Sequence, residues 1–253
     1  MLKEIFLTLQ GEGKHAGRKA VFVRFAGCNL WSGRPEDRLK GAGACARWCD
    51  TDFVGGKRTE SPVDIAMAMG IAWNIEDTRQ KFCVLTGGEP MLQVDRKLLQ
   101  ELSAQGWTIA VETNGTRPIH SRTAKHIDHI CVSPKLGSKV DNGITRVDEL
   151  KVVLPGVYGK TEHDTGWTDE QLYELKMWAF ERNCRSFIVV PQDSIVPKHI
   201  DVSLLRKNYR GDVEVRGVLH QHWKLAVENC VEFVHRYPVW RVGVQAHKTL
   251  ELP

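Results

Sequence analysis

Residues 82–90 read FCVLTGGEP, an apolar run that stops abruptly at a Gly-Gly turn. The run at 82–86 has the length and composition of a buried strand. The two glycines let the backbone come close to a ligand, and Glu89 supplies an acceptor for a cationic group. Alone, the stretch is better read as a tight strand-to-helix turn. The same alternation continues on both sides. Residues 20–25 (AVFVRF) read as a strand, and 62–74 as a helix with Ser61 as its N-cap. A helix over about 94–105 follows, then strands at 107–112, 127–132, 149–154 and 186–190, with a helix near 169–183 between the last two. Strands alternating with helices predict an α/β protein with a parallel sheet, open or closed into a barrel. In such sheets ligands sit beyond the carboxyl ends of the strands. Residues 212–237 carry no clear pattern, and 239–244 fit a late strand or an extended tail. No linker interrupts the chain, so residues 1–253 read as one domain.

The bulk chemistry excludes several classes. The net charge is +4 and spread along the sequence, without the basic patches of a nucleic-acid binder. No apolar run approaches the roughly 20 residues of a membrane span. The N-terminal MLKEIFLTLQGEG lacks the long apolar stretch of a signal peptide. A cytoplasmic protein with no membrane partner is the expectation. Seven cysteines, an odd number, in a chain too long to need disulfide staples point to metal or catalytic use for some and core packing for the rest.

Three of those thiols are close in sequence. Cys28, Cys45 and Cys49 are separated by sixteen and then three residues. Cys45 and Cys49 share one face if their segment is helical. Thiolates select zinc or iron–sulfur clusters, and a closed zinc site or an ordinary cubane wants four ligands. Three clustered cysteines therefore suggest either a cluster with one open iron or a zinc site completed by a remote His or Cys. Cys83 and Cys131 fall inside predicted strands and read as core residues, as do Cys184 and Cys230. His220 and His222 have ligand-like spacing but no neighbour to join them.

A cysteine triad after one strand and GGEP after the next resembles the radical S-adenosylmethionine (SAM) enzymes. The likeness extends through LQGEG (9–13), FVRFAGCNLW (22–31), WCDTDF (48–53), LTGGEP (85–90), ETNGT (112–116), SPK (133–135), VPQD (190–193) and QAHK (245–248), with Pro253 last. In that order the chain is similar to the 7-carboxy-7-deazaguanine synthases of queuosine-type 7-deazapurine biosynthesis.

The resemblance implies an incomplete TIM-like barrel of about six parallel strands, with a long cluster-loop insert near 31–44 and an irregular part near 194–241. It implies a 4Fe–4S cluster on Cys28, Cys45 and Cys49, with SAM on the fourth iron as the source of a 5′-deoxyadenosyl radical. Gly88, Glu89, Ser133, Pro134, Lys135, Val190, Pro191, Gln192 and Asp193 match SAM-contacting segments, although Val190 stands where Gln is commoner. Leu9, Gln10, Gly11, Glu12, Arg24, Thr86, His247 and the carboxylate of Pro253 match substrate contacts. Thr51 matches a Mg2+ ligand. The implied substrate is 6-carboxy-5,6,7,8-tetrahydropterin, whose guanine-like edge suits Gln10 and Glu12 and whose carboxylate suits the Arg24 guanidinium. The implied reaction is a carbon–nitrogen lyase step, ring contraction with loss of ammonia. A reductant such as flavodoxin and a homodimer come with the family.

The spacing departs from the family's usual Cys-x3-Cys-x2-Cys. It predicts one extra residue near 46–48, as a bulge or a widened turn. Trp31 and Trp48 read as shields for the cluster, and Glu112 and Asn114 as either site architecture or SAM contacts. A different radical SAM enzyme such as an activase would share the cysteines and GGEP but not LQGEG, Arg24 or the tail. A non-catalytic zinc or iron–sulfur module would need none of the strand-end motifs.

Overall fold

In a computed structural model of the chain, residues 1–38, 40–58, 61–74, 76, 79–155, 166–192, 213–246 and 250 are described, the side chains of 44, 47 and 213–222 excepted. Eight strands form one sheet in sequence order: β1 (Leu2–Leu9), β2 (Lys19–Phe25), β3 (Phe82–Gly87), β4 (Thr108–Thr113), β5 (His129–Val132), β6 (Glu149–Leu154), β7 (Ser186–Pro191) and β8 (Trp240–Val242). β1 runs antiparallel to β2, and β2 through β8 are mutually parallel. The sheet does not close, as expected for a partial barrel. It has seven parallel strands where the sequence pattern supplied about six. The extra one is β8, the late strand at 239–244.

Two faces of different chemistry explain the strand sequences. Val21, Val23, Cys83, Leu85, Ile109, Val111, Ile130, Val132, Leu150, Val152 and Val189 belong to one large apolar cluster beneath the helices. Burying a Leu or Val fully contributes roughly 1.5–3 kcal/mol, so this layer dominates stability. Residues at the alternate positions point to the concave face. Low on that face are Ala20, Phe82, Val84 and Ala110, a small separate cluster. Higher up the same face turns polar, and that change of chemistry makes the site.

The helices follow their capping signals. In α1 (Pro62–Trp73) the Ser61 side chain accepts from the Asp64 N–H, as the sequence predicts. Asp95 does the same for Leu98 at the start of α2 (Arg96–Ala104). A short turn, α3 (Ser121–Ala124), precedes β5. A capping box of Thr168 and Gln171 starts α4 (Asp169–Phe180). The patternless 212–237 region proves to be α5 (Val213–Arg236), so the described part of the stretch expected to be irregular is helix and strand. Its buried residues Ala226, Cys230 and Phe233 recur at helical spacing, but β-branched residues and Gly217 in its first turns blur the pattern.

β1 was not predicted. It is an edge strand with no clean alternation of burial, and Leu7 is left exposed. Its direction has a consequence for the site. Because Leu9 pairs with Lys19, the chain leaves β1 at the amino end of the parallel strands. The following loop and the turn at Gly13–His15 therefore enter the barrel from below. Gly13 has φ +70°, and an added Cβ would lie 2.1 Å from Glu149 Oε1. Glu149 is buried, and its Oε2 accepts from the Lys14 N–H at 2.7 Å. That close approach requires glycine and fixes the height of Gln10 and Glu12.

Candidate active site

A cavity of about 280 Å3 opens at the carboxyl ends of the strands. Arg24, Thr86, Thr113, Ser133 and Val153, each at or near the end of its strand, line its sides. Leu9, Gln10, Gly11 and Glu12 form the floor from the loop below. Cys28, Cys45 and Cys49 line the same cavity, with Trp31, Trp48 and Thr51.

The cysteine loop is built around one short 3-10 turn, Ala44–Arg47. Both the Trp48 and the Cys49 N–H groups return to the Cys45 carbonyl, at 3.0 and 2.7 Å. The Cys49 bond closes a ring one residue wider than the 3-10 turn, which accommodates the x3 spacing. Arg38, from the insert, clamps the loop by donating to the carbonyls of Ala46 (2.9 Å) and Cys49 (3.1 Å) and lies over the Trp31 ring. Trp31 in turn meets Phe53 edge-on, with centroids 5.6 Å apart. Burial pushes the Cys28 and Cys49 thiols up and drives Cys45 up to about 12, with Lys135 opposing at Cys45 and Cys49. Among the described residues, no group of three His, Cys, Asp or Glu side chains is placed to hold a metal ion.

The GGEP turn divides its labour. Gly87 and Gly88 face the cavity, whereas Glu89 is fully buried behind it. Glu89 Oε1 accepts from the Thr113 hydroxyl (2.7 Å) and the Met91 N–H (2.9 Å), and Oε2 from the Asn114 N–H (2.7 Å). Burial raises its pKa, and these three donors oppose the rise. The carboxylate therefore welds the ends of β3 and β4 together and is not turned to a cationic ligand. Gly88 approaches the cysteine loop so closely that a Cβ there would lie 2.1 Å from the Gly27 carbonyl oxygen.

The other expected residues divide in the same way. Ser133 and Lys135 line the cavity, and the Lys135 ammonium donates to Ser133 Oγ at 2.7 Å; Pro134 is buried beside them and is not part of the wall. Val190, Pro191 and Gln192 are buried at the end of β7 and also do not line it. Arg24 lines the cavity and donates through Nε to Glu4 Oε1 at 2.6 Å. Asp193, His247 and Pro253 lie outside the described residues, as do the side chains of His220 and His222. Cys83, Cys131, Cys184 and Cys230 are buried, consistent with packing roles.

Sequence pattern missed part of the floor. Lys151, which it did not single out, lines the cavity together with Glu112, expected as site architecture or a SAM contact, and Gln245 of the QAHK motif. Gln10 Nε2 donates to Glu112 Oε1 (2.8 Å) and Gln245 Nε2 to Glu12 Oε1 (2.6 Å). Beneath them a second space of about 10 Å3, enough for one water, lies beside His15 and His129. These rings meet edge-on at 4.6 Å, and burial lowers the pKa of both. Among the described residues no helix is long and apolar enough to cross a membrane.

The chain is 40% identical over its whole length to 7-carboxy-7-deazaguanine synthase of Burkholderia multivorans, covering 98% of that protein. It is 41% identical over 98% of its length to the Bradyrhizobium diazoefficiens synthase, covering 97% of that protein. The crystal structure of QueE from Escherichia coli shares the fold with a TM-score of 0.61, at 22% identity over 97% of this chain and 93% of that one. No family model matches the chain. Full-length identity of this order, carried on the same sheet, shows that the chain belongs to the 7-carboxy-7-deazaguanine synthase family.

Proposed function

We propose that this enzyme contracts the ring of 6-carboxy-5,6,7,8-tetrahydropterin to 7-carboxy-7-deazaguanine, with loss of ammonia, as a radical SAM carbon–nitrogen lyase. The observation that carries the reading is that one cavity has three thiols on its wall and Gln10, Glu12 and Arg24 around its floor and side. The donor set fits a 4Fe–4S cluster. Three soft thiol ligands on the wall of one open cavity suit an iron–sulfur cluster with one position left for a ligand. Cys28, Cys45 and Cys49 would hold it. Cluster and SAM, when bound, supply the one-electron reduction and the hydrogen-abstracting radical.

The remaining roles belong to the chain. Gly88, with its close backbone, and Ser133, Lys135 and Asn114 form the rim on which SAM rests. Glu89, Pro134, Val190, Pro191 and Gln192 support that rim from behind, and Asp193 is assigned to SAM binding with it. Glu12 and Gln10 accept and donate hydrogen bonds along the pterin's amino-pyrimidinone edge. Leu9 and Gly11 give that ring its flat floor. Arg24 grips the substrate carboxylate and Thr86 adds a hydroxyl beside it. To His247 and Pro253 the same reading assigns substrate binding. Thr51, on the cavity wall, would supply an oxygen ligand to Mg2+. Trp31, Trp48 and Phe53 exclude water from the cysteine wall. Flavodoxin as electron donor, a homodimer and a cytoplasmic setting, where thiols stay reduced, complete the proposal.

Anaerobic reconstitution with iron and sulfide, then incubation with SAM, reductant, Mg2+ and carboxytetrahydropterin, tests the reading. The expected product is 7-carboxy-7-deazaguanine. Its absence from protein that carries a reducible cluster and cleaves SAM would exclude the synthase and leave another radical SAM reaction. Zinc in place of iron would exclude both. Cys45→Ala is expected to lose the cluster, and full iron content in that variant contradicts the ligand assignment.

A further inference from the structure

Lys151 lies in β6, in ELKVVL, and is only 4% exposed. An isolated ammonium at such a place would lose most of its hydration without compensation. Its Nζ is 2.5 Å from Glu12 Oε2 and 3.2 Å from Glu112 Oε2. Glu12 comes from the loop that plugs the barrel from below, and Glu112 from the end of β4. A single cation thus joins two acidic side chains from separate elements. The other oxygen of each carboxylate is held by an amide, Gln245 on Glu12 and Gln10 on Glu112. Cys131 on β5 also faces the ammonium, Glu149 lies two residues before Lys151 on β6, and Lys14, His15 and His129 line the small space beside Glu12 and Glu112. Burial alone would lower the pKa of Lys151, but Glu112 and Glu12 together outweigh it and raise it well above the usual value.

We propose that Lys151 is a positioning residue for the substrate edge, acting through Glu12 and Glu112. Its ammonium holds both side chains as fixed anionic acceptors, so the floor presents a plane of acceptors to the N–H groups of a reduced pterin. Two carboxylates and one ammonium leave the floor with a net negative charge. That favours a donor-rich edge there and leaves the substrate's own carboxylate to Arg24. This inference rests on the pterin reading of the cavity and adds the element that sets the floor's charge.

The test uses reconstituted holoenzyme carrying Lys151→Met or Lys151→Arg. Met fills the space without a charge. K151M should keep its iron and its substrate-free SAM cleavage, and raise KM for carboxytetrahydropterin about tenfold with a smaller change in kcat. Its KM should worsen further from about pH 8 to about pH 6, because two facing carboxylates with no cation between them share a proton. K151R restores the charge but not its position, so it should keep the parental pH profile with KM still raised. Parental KM and pH dependence in K151M, or parental KM in K151R, would overturn the proposal. A substrate-independent readout separates this from failure of the synthase reading. In infrared titration of protein labelled with 13C-glutamate, K151M should gain one protonated carboxyl near neutrality over the parent. Its absence overturns the role of Lys151 whether or not the parent makes product.

Discussion

The Thr113 hydroxyl donates to Glu89 across 2.7 Å, and through that bond the end of β4 is tied to the turn after β3. The Met91 and Asn114 N–H groups complete the arrangement. Glu89→Gln replaces one acceptor oxygen by a donor, leaving a buried donor facing another. A loss of about 1–3 kcal/mol is expected, read as a lower denaturant midpoint with an unchanged slope. SAM affinity should fall as well, because Gly88 moves with the turn. An unchanged midpoint would contradict the account of Glu89 as a structural weld.

Gly88→Ala tests the contact between the GGEP turn and the cysteine loop. The new Cβ would meet the Gly27 carbonyl oxygen at 2.1 Å and Cys28 Cβ at 2.9 Å. Backbone must shift, and Cys28 shifts with it, so the variant should fold yet incorporate little iron. Gly70→Ala is the control. Gly70 lies within α1 with nothing inside 4 Å of an added Cβ, and the change should stabilise by roughly 0.5–1 kcal/mol with full iron content. Normal iron incorporation by G88A would contradict the close packing of turn and loop.

Gly13→Ala acts from the opposite end of the barrel. A Cβ 2.1 Å from Glu149 Oε1, at φ +70°, displaces the turn that carries Gln10 and Glu12. The expected signature is a raised KM for the pterin with substrate-free SAM cleavage near the parental rate. Loss of both together would mean that the turn supports the whole fold, not the floor alone.

Buried thiols give a pH dependence of stability. Burial pushes Cys230 up to about 12, from an ordinary value near 9. Its folded-state pKa is raised, so its contribution is complete below the unfolded value and is lost as pH rises through the folded one. The stability gap between the parent and Cys230→Ala should therefore narrow from about pH 9 towards about pH 12. Chemical denaturation at several alkaline pH values checks this; a constant gap would contradict the burial of the thiol.

The sequence made the α/β alternation legible because seven of the strands are parallel, with one face packed beneath helices. Cys28, Cys45, Cys49 and the Gly-Gly turn were legible because thiol spacing and glycine carry chemistry in their identity alone. Lys151 was not. In ELKVVL a lysine reads as the solvent-facing member of a strand, and only the concave sheet places it between Glu12 and Glu112. Glu89 shows the converse: next to two glycines it resembles a ligand contact, yet its partners are Thr113 and Asn114, brought near by the pairing of β3 with β4. β1 lacked a clean alternation because it lies at an edge, half-buried on both faces.

The most direct measurement of the central claim is product made per SAM supplied. Reconstituted enzyme, with excess carboxytetrahydropterin and limiting SAM under anaerobic reduction, should form 7-carboxy-7-deazaguanine and ammonia in several-fold excess over SAM, with SAM regenerated. Consumption of all the SAM to methionine and 5′-deoxyadenosine, with no deazapurine formed, would contradict it.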